Sequence, residues 1–247
     1  MSLPVPGQDV AAQQEASAAG ASRAGRLLPE WAKVLVVVAH PDDESFGLGA
    51  IVSLMTATGA AVHILCYTHG EASTLNENSA DLDTERETEL QQASTELAAA
   101  TVTLLDYPDS RLGGIPPVEL AAHVSHLAVR HQPDGLLVFD DTGITAHPDH
   151  QAATRAAMQA ATAAELPVLA WALPATIGDR LRAETGQPFT GQPPDRLDLC
   201  IRVDRARQRR AALMHASQIS PTAVLWRRLQ LQGDCEHLRW LLPPRAT

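Results

Sequence analysis

The chain is short of several residue types that commonly signal a function. Lys33 is the only lysine, and the formal net charge is −10. General nucleic-acid binding, which needs a basic face, is therefore not expected. Aromatic residues make up only 4% of the sequence, so the core must come from Ala, Leu, Val and Ile, and a hydrophobic content of 45% allows one. The three cysteines, Cys66, Cys200 and Cys235, are odd in number, far apart and without Cys-x-x-Cys spacing. Neither a disulfide framework nor a cysteine zinc site is expected from them, only small buried or half-buried thiols. No run is long and apolar enough to span a membrane. No basic stretch leads into an apolar one at the N-terminus, so a cytoplasmic location is expected.

What is present suits one α/β domain with decorations, given 247 residues. Residues 1–26 are Ala, Gln, Ser and Gly with few large apolar groups, and they are expected to form a flexible N-terminal arm. Residues 27–247 then form a single domain without internal repeats. Val34 to Ala39 is a continuous, largely β-branched run, the mark of a strand buried on both faces of a parallel sheet. It stops at His40-Pro41, because proline cannot continue the ladder. Strands are expected again at Ala61–Tyr67, Val102–Leu105, Gly135–Phe139 and Pro167–Leu173. Helices between them are expected at Gly47–Thr58, Asp83–Ala99, Pro117–Arg130 and His150–Ala163. This alternation gives a doubly wound, mostly parallel central sheet with helices on both faces. An edge strand at Leu197–Val203 and an Arg-rich helix from Asp204 to His215 complete the reading. Residues 178–196, rich in Gly, Pro, Thr and Gln, read as an irregular surface excursion.

In open α/β sheets, ligands bind beyond the carboxyl ends of the strands. Two segments there carry metal-ligand residues. His40-Pro41-Asp42-Asp43-Glu44 follows the first strand, and Asp140 to His150 follows the fourth. A catalytic zinc takes three protein ligands of N and O type and keeps one position open. His40, Asp43 and His150 make such a set, and Asp42, beside a ligating acid, is left as a general base. A single loop His or Asp is usually just solvated, but two dense clusters, each abutting a strand, are harder to dismiss. A dinucleotide site is the rival reading of Gly47 and Gly49. It is disfavoured because three acids stand where a pyrophosphate needs bare N–H groups, and Val52 interrupts the glycine fingerprint.

These residues also carry a family resemblance. Ala39-His40-Pro41-Asp42-Asp43-Glu44 resembles the A-H-P-D-D-E signature of the PIG-L/LmbE-like N-deacetylases, and His147-Pro148-Asp149-His150 resembles their H-P-D-H signature. Thr68-His69-Gly70-Glu71, Arg86-Glu87-Thr88-Glu89-Leu90 and His215-Ala216-Ser217-Gln218 are similar to weaker motifs of the same family. The resemblance implies a Rossmann-like LmbE-type fold and a zinc ion held by His40, Asp43 and His150. It implies that Asp42 is the general base, that protonated His147, oriented by Asp149, assists at the developing oxyanion, and that Arg86 and Asp109 contact the substrate. It implies a small-molecule partner, an N-acylated amino sugar or glycoconjugate, that loses its acyl group, most simply acetyl. Thr145 stands where mycothiol-pathway members carry a tyrosine, which argues against that branch. An amidase acting on a thiol conjugate or natural-product intermediate would use the same metal site, and a non-catalytic member of the fold would be expected to have lost part of it. The sequence leaves open Fe2+ or another divalent ion in place of Zn2+, and whether the chain forms a homo-oligomer.

Overall fold

The computed structural model describes residues 27–75 and 81–245. The arm expected over residues 1–26 lies outside the described residues.

Seven strands form one sheet in the order β3-β2-β1-β4-β5-β7-β6. The first five are β1 (Lys33–Val38), β2 (Ala61–Thr68), β3 (Thr101–Tyr107), β4 (Gly135–Phe139) and β5 (Val168–Ala172), and they are mutually parallel. β6 (Leu199–Arg202) is the edge, and β7 (Cys235–Leu242) inserts antiparallel between β5 and β6. The helices are α1 (Asp43–Phe46), α2 (Gly49–Ala57), α3 (Leu82–Glu96), α4 (Pro117–His131), α5 (Pro148–Ala164), α6 (Ala175–Thr185), α7 (Ala206–Met214) and α8 (Val224–Gln232).

The period-two alternation of β1 sorts its side chains between two cores. Val34, Val36 and Val38 pack with Leu48, Ile51 and Leu90 of the α2 and α3 layer. Leu35, Val37 and Ala39 pack with Leu120 and Val124 of α4 and with the alanine face of α5, including Ala153 and Ala156. Small alanines let α4 and α5 lie close to the sheet and to each other, which is how a chain with few aromatics still fills its interior.

The expected α/β, mostly parallel, Rossmann-like sheet with helices on both faces is what forms. Three departures have physical causes. Residues 178–185, expected within the irregular excursion, belong to helix α6. Gly178 interrupts the helical pattern but is needed there, because a Cβ at that position would lie 2.8 Å from the Gly191 backbone nitrogen. β7 went unread because its sequence, CEHLRWLL, mixes charged and apolar residues, and its Glu236 is fully buried. Cys200 and Cys235, expected to be separate thiols, are joined in a disulfide with a Cα–Cα distance of 6.0 Å. Their 35-residue separation hides the fact that β6 and β7 are neighbours, with Cys235 paired to Arg202 and Cys200 to His237. Cys66 is free and buried. No helix among the described residues is long and apolar enough to cross a membrane.

Candidate metal centre and active site

The strand order runs outward from β1 in both directions, to β2 on one side and β4 on the other. The carboxyl ends of β1 and β4 therefore flank the crevice where an open α/β sheet binds its ligand. The loop after β1 carries His40, Asp42 and Asp43, and the loop after β4 leads into His147, Pro148 and His150. Proline at the first turn of α5 fixes the start of that helix. Three non-glycine residues of these loops take a left-handed backbone, Asp42 (φ 112°), Ile144 (φ 64°) and Ala146 (φ 56°). Such conformations cost of order 1–3 kcal/mol each and persist only where the surroundings enforce them.

The two loops bring His40, Asp43 and His150 together, with a different Asp43 oxygen nearest to each imidazole. His40 Nδ1 lies 3.2 Å from His150 Nε2. Asp43 Oδ1 is 3.2 Å from His150 Nε2, and Asp43 Oδ2 is 3.7 Å from His40 Nδ1. A tetrahedral ion with N and O ligands at about 2.0–2.2 Å would separate its ligands by roughly 3.3–3.6 Å. The outer partners orient these atoms. His150 Nδ1 meets the Gly143 carbonyl at 3.1 Å, which turns the Nε2 lone pair inward. His40 Nε2 faces Asp109 Oδ1 at 3.1 Å and Asp149 Oδ2 at 3.5 Å, which turns Nδ1 inward. Asp43 Oδ2 is held by the N–H groups of Ala39 and His40, leaving Oδ1 for the site. Two imidazole lone pairs converging with a carboxylate repel one another unless a cation lies between them. The residues thus fit a divalent metal, with the carboxylate–histidine support typical of such sites.

The electrostatics agree. Burial alone would lower the pKa of His40, but Asp109, Asp149 and Asp43 outweigh it and raise it to about 10. Asp43 is also penalised by burial, yet His150 and His40 hold it well below the usual carboxylate range. Asp109 falls to about 2, because its contact with His40 outweighs burial. Asp42 moves the other way. Burial and the Asp43 charge raise it to about 6 against the opposing pull of Arg86.

Asp42 Oδ2 accepts a hydrogen bond from Arg86 at 2.9 Å. The buried Arg86 also donates to the carbonyls of Gly70 and Pro41. Its guanidinium is thus engaged with the loop that carries Asp42. Asp109 is similarly committed, to His40 and to the Ala72 N–H. Both nonetheless line the cavity described below. His147 stacks edge-on to His40 with ring centroids 4.8 Å apart. The backbone N–H of Asp149 donates to its Nδ1 at 3.3 Å, so the proton of the neutral ring sits on Nε2. Burial and the neighbouring His150 and His40 lower its pKa, which favours the neutral ring over the protonated one expected from the sequence. The Asp149 carboxylate turns toward His40 and accepts from the Leu112 N–H at 3.1 Å.

A layer with no assigned role in the sequence reading lies beneath. Glu44 Oε1 meets His215 Nε2 at 2.8 Å, and both residues are fully buried. Glu44 Oε2 accepts the Asp42 N–H at 3.0 Å. Glu89 accepts from Ser217 N–H and Oγ at 2.6 and 2.7 Å. Gln218 Oε1 accepts from Ser73 Oγ at 2.6 Å. The weaker motifs around Arg86 and His215 thus surround and support the Asp42 loop. Trp171, Phe189 and Arg228, which line the cavity beside the cluster, belong to no motif.

Residues 35–161 match the family model described as PIG-L: GlcNAc-PI de-N-acetylase. The chain belongs to the PIG-L family. The region matched by that model includes β4, β1 from Leu35 onward, and the loops that carry His40, Asp43 and His150 of this PIG-L protein. It is 30% identical over 149 residues to a probable N-acetylglucosaminyl-phosphatidylinositol de-N-acetylase of Schizosaccharomyces pombe, covering 58% of this chain and 57% of that one. It is 34% identical over 163 residues to a 1D-myo-inositol 2-acetamido-2-deoxy-alpha-D-glucopyranoside deacetylase of Catenulispora acidiphila, covering 56% and 50%. It therefore spans only about half the length of these curated relatives. Among solved structures, an N,N'-diacetylchitobiose deacetylase from Pyrococcus horikoshii superposes with a TM-score of 0.67 at 18% identity, covering 97% and 94% of the two chains. A teicoplanin deacetylase in a zinc-inhibited form gives 0.64 at 19%, covering 84% and 97%. A 4-carboxy-2-hydroxymuconate hydratase gives 0.65 at 19%, covering 87% and 98%. The last shares the fold of the PIG-L protein but catalyses no deacetylation by its name, so the fold alone does not fix a reaction.

Proposed function

We propose that the protein is a zinc-dependent hydrolase that removes an N-acyl group, acetyl in the simplest case, from an amino-sugar-like amine. The observation that carries this reading is the approach of His40 Nδ1 and the Asp43 carboxylate to His150 Nε2, with Asp42 lining the same cavity. His40, Asp43 and His150 would hold the metal, which when bound supplies Lewis acidity to the amide carbonyl and to a water.

The residues of the chain supply the rest. Asp42, raised to about 6 and still ionised at neutral pH, accepts the proton of the attacking water. Arg86 fixes the direction of that carboxylate. The Nε2–H of His147 faces the carbonyl oxygen as it gains charge, and a donor so placed is worth about 3 kcal/mol. Asp42 then returns its proton to the departing nitrogen as the C–N bond breaks. Amine and carboxylic acid result. Asp149 and Asp109 keep His40 oriented. The names of the relatives support an N-acetylglucosamine-type amine, and Thr145 lining the cavity leaves no tyrosine hydroxyl at that position.

The test uses purified protein, stripped of metal and reloaded with zinc, and follows acetate release from N-acetylglucosamine conjugates. Zinc near one equivalent with acetate release is expected, both lost in His150→Ala. Asp42→Asn should keep the metal and lose about 10²–10⁴-fold in rate. Full activity in metal-loaded Asp42→Asn, or failure to bind any divalent metal, would overturn the reading.

A further inference from the structure

One cavity of about 490 Å³ opens over the cluster, and the sheet topology gives it two unlike sides. Ser73, Arg86, Asp109 and Ser110 come from segments that follow β2 and β3. Phe139 and Trp171 come from β4 and β5, on the far side of β1, with Phe189 and Arg228 beside them. The first side is polar and the second aromatic. From the metal-binding histidine the aromatic side advances in even steps. Phe139 stands edge-on to His150 with centroids 5.0 Å apart, Trp171 is 5.3 Å from Phe139, and the Arg228 guanidinium carbon lies 4.8 Å over the Trp171 ring. Gly47 makes room for this wall, since a Cβ there would come within 2.3 Å of the Phe139 ring.

Arg228 is the anomaly at the end of the wall. It is buried, with 5% of its surface exposed. Its guanidinium donates to Gln232 Oε1 at 2.8 Å and to the Phe46 carbonyl. No carboxylate among the described residues lies within ion-pairing distance of it. Glu236, the acid whose charge acts on Arg228, already accepts from Arg205 and from Trp171 Nε1, and its hydrogen-bond link to Arg228 runs through Gln232. Two guanidinium ions thus share one carboxylate, and a positive charge is left over in a place where burying an unpaired charge is costly. Trp171 offsets part of that cost by its ring face. The pKa of Arg228 falls to about 10 because burial outweighs the attraction of Glu236.

We propose that the aromatic side of the cavity receives the acyl half of the substrate, and that this acyl group is longer than acetyl and ends in a carboxylate that pairs with Arg228. This rests on the N-acyl hydrolase reading above. The hydroxyl-rich amine half belongs on the polar side, where Ser73, Ser110 and Asp109 offer hydrogen-bonding groups. The acyl chain then lies along Phe139 and Trp171, and its terminal carboxylate replaces the missing anion. Hydrolysis would break the amide C–N bond, add water across it and release a dicarboxylic acid and the free amine.

The experiment compares zinc-loaded wild-type protein on glucosamine N-acylated with acetyl, with neutral chains of four to eight carbons, and with chains of the same lengths ending in a carboxylate. At the best length the carboxylate-terminated chain should exceed its methyl-terminated counterpart by about tenfold to a hundredfold in kcat/KM, the worth of a charge-assisted hydrogen bond. In Arg228→Gln that ratio should fall to near one, and Arg228→Lys should recover part of it. Should Arg228→Gln fail to fold, inhibition of the wild type by free dicarboxylates against monocarboxylates of equal length gives the same comparison. A wild-type preference for acetyl over every longer chain, or equal rates for charged and neutral chains, would overturn this proposal while leaving the deacylase reading intact. No hydrolysis of any member would overturn both.

Discussion

Replacing His215 by alanine should destabilise the metal-free protein more than any other change of a histidine outside the ligand set. His215 and Glu44 are each fully buried, and their 2.8 Å contact is the one ion pair of the Glu44 carboxylate among the described residues. Removing the imidazole leaves that carboxylate in the interior with only the Asp42 N–H, at 3.0 Å, to compensate it. Breaking a buried pair in this way costs about 3–5 kcal/mol, against a total stability of order 5–15 kcal/mol. The urea midpoint, measured with chelator present so that metal binding does not contribute, should fall by roughly a third or more. The effect has a pH signature. Burial lowers the His215 pKa, but Glu44, Asp42 and Glu89 raise it above 6.5 on balance. A raised histidine pKa gives stability that is fully present below about pH 6.5 and lost as pH rises through the folded value. The gap between wild type and His215→Ala should therefore be widest at or below pH 6.5 and narrow toward alkaline pH. The same variant should lose activity, because Glu44 Oε2 holds the Asp42 backbone in its left-handed conformation. An unfolding free energy within about 1 kcal/mol of wild type, equal at all pH values, would refute the reasoning.

Metal affinity should climb with pH by about tenfold per unit between pH 6 and 8, because His40, with a pKa of about 10, must give up a proton to bind. Competition titrations with a chelator of known affinity would show it, and a flat profile would count against His40 as a ligand. Gly47→Ala should cost about 1–3 kcal/mol through overpacking against Phe139. Because Phe139 lines the aromatic wall, that variant should also slow hydrolysis of long acyl chains more than of acetyl, and an equal loss on both would separate Phe139 from acyl binding.

Much of the fold could be read from local pattern. Val34 to Val38 in β1 and Gly135 to Phe139 in β4 are apolar runs bounded by Pro41 and by Asp140, so their burial on both faces and their parallel pairing followed from composition alone. The loops after them carry chemistry within a few residues of a strand end, which is why His40, Asp42, Asp43, His147 and His150 could be placed in one site before any coordinates. Residues whose roles depend on distant partners were not legible in the same way. Glu236 looks like a surface residue of a mixed segment, and only the insertion of β7 between β5 and β6 buries it against Arg205 and Trp171. Arg228 lies in a stretch to which the sequence assigned no element, and its neighbour Trp171 is 57 positions away in sequence. The Cys200–Cys235 pairing belongs to the same class, being set by strand adjacency rather than spacing.

The two ends of the cavity carry opposite charge imbalances, and this connects the legible part of the site to the illegible part. Around His40 the carboxylates Asp42, Asp43, Asp109 and Asp149 outnumber the fixed cation Arg86, and the excess is strong enough to hold a proton on a buried imidazole to about pH 10. Around Trp171 the guanidinium ions of Arg205 and Arg228 outnumber Glu236. Neither surplus is neutralised by the opposite one, because Phe139 and Trp171 stand between them and keep the intervening wall apolar. An interior does not retain uncompensated charge of both signs without cost, so each end is better explained as half of a pair completed from outside. On the proposed reading, a divalent cation completes the first. An anion held at a fixed reach from the scissile amide completes the second, and the length of that reach is what would make the site selective for its acyl group rather than only reactive toward amides.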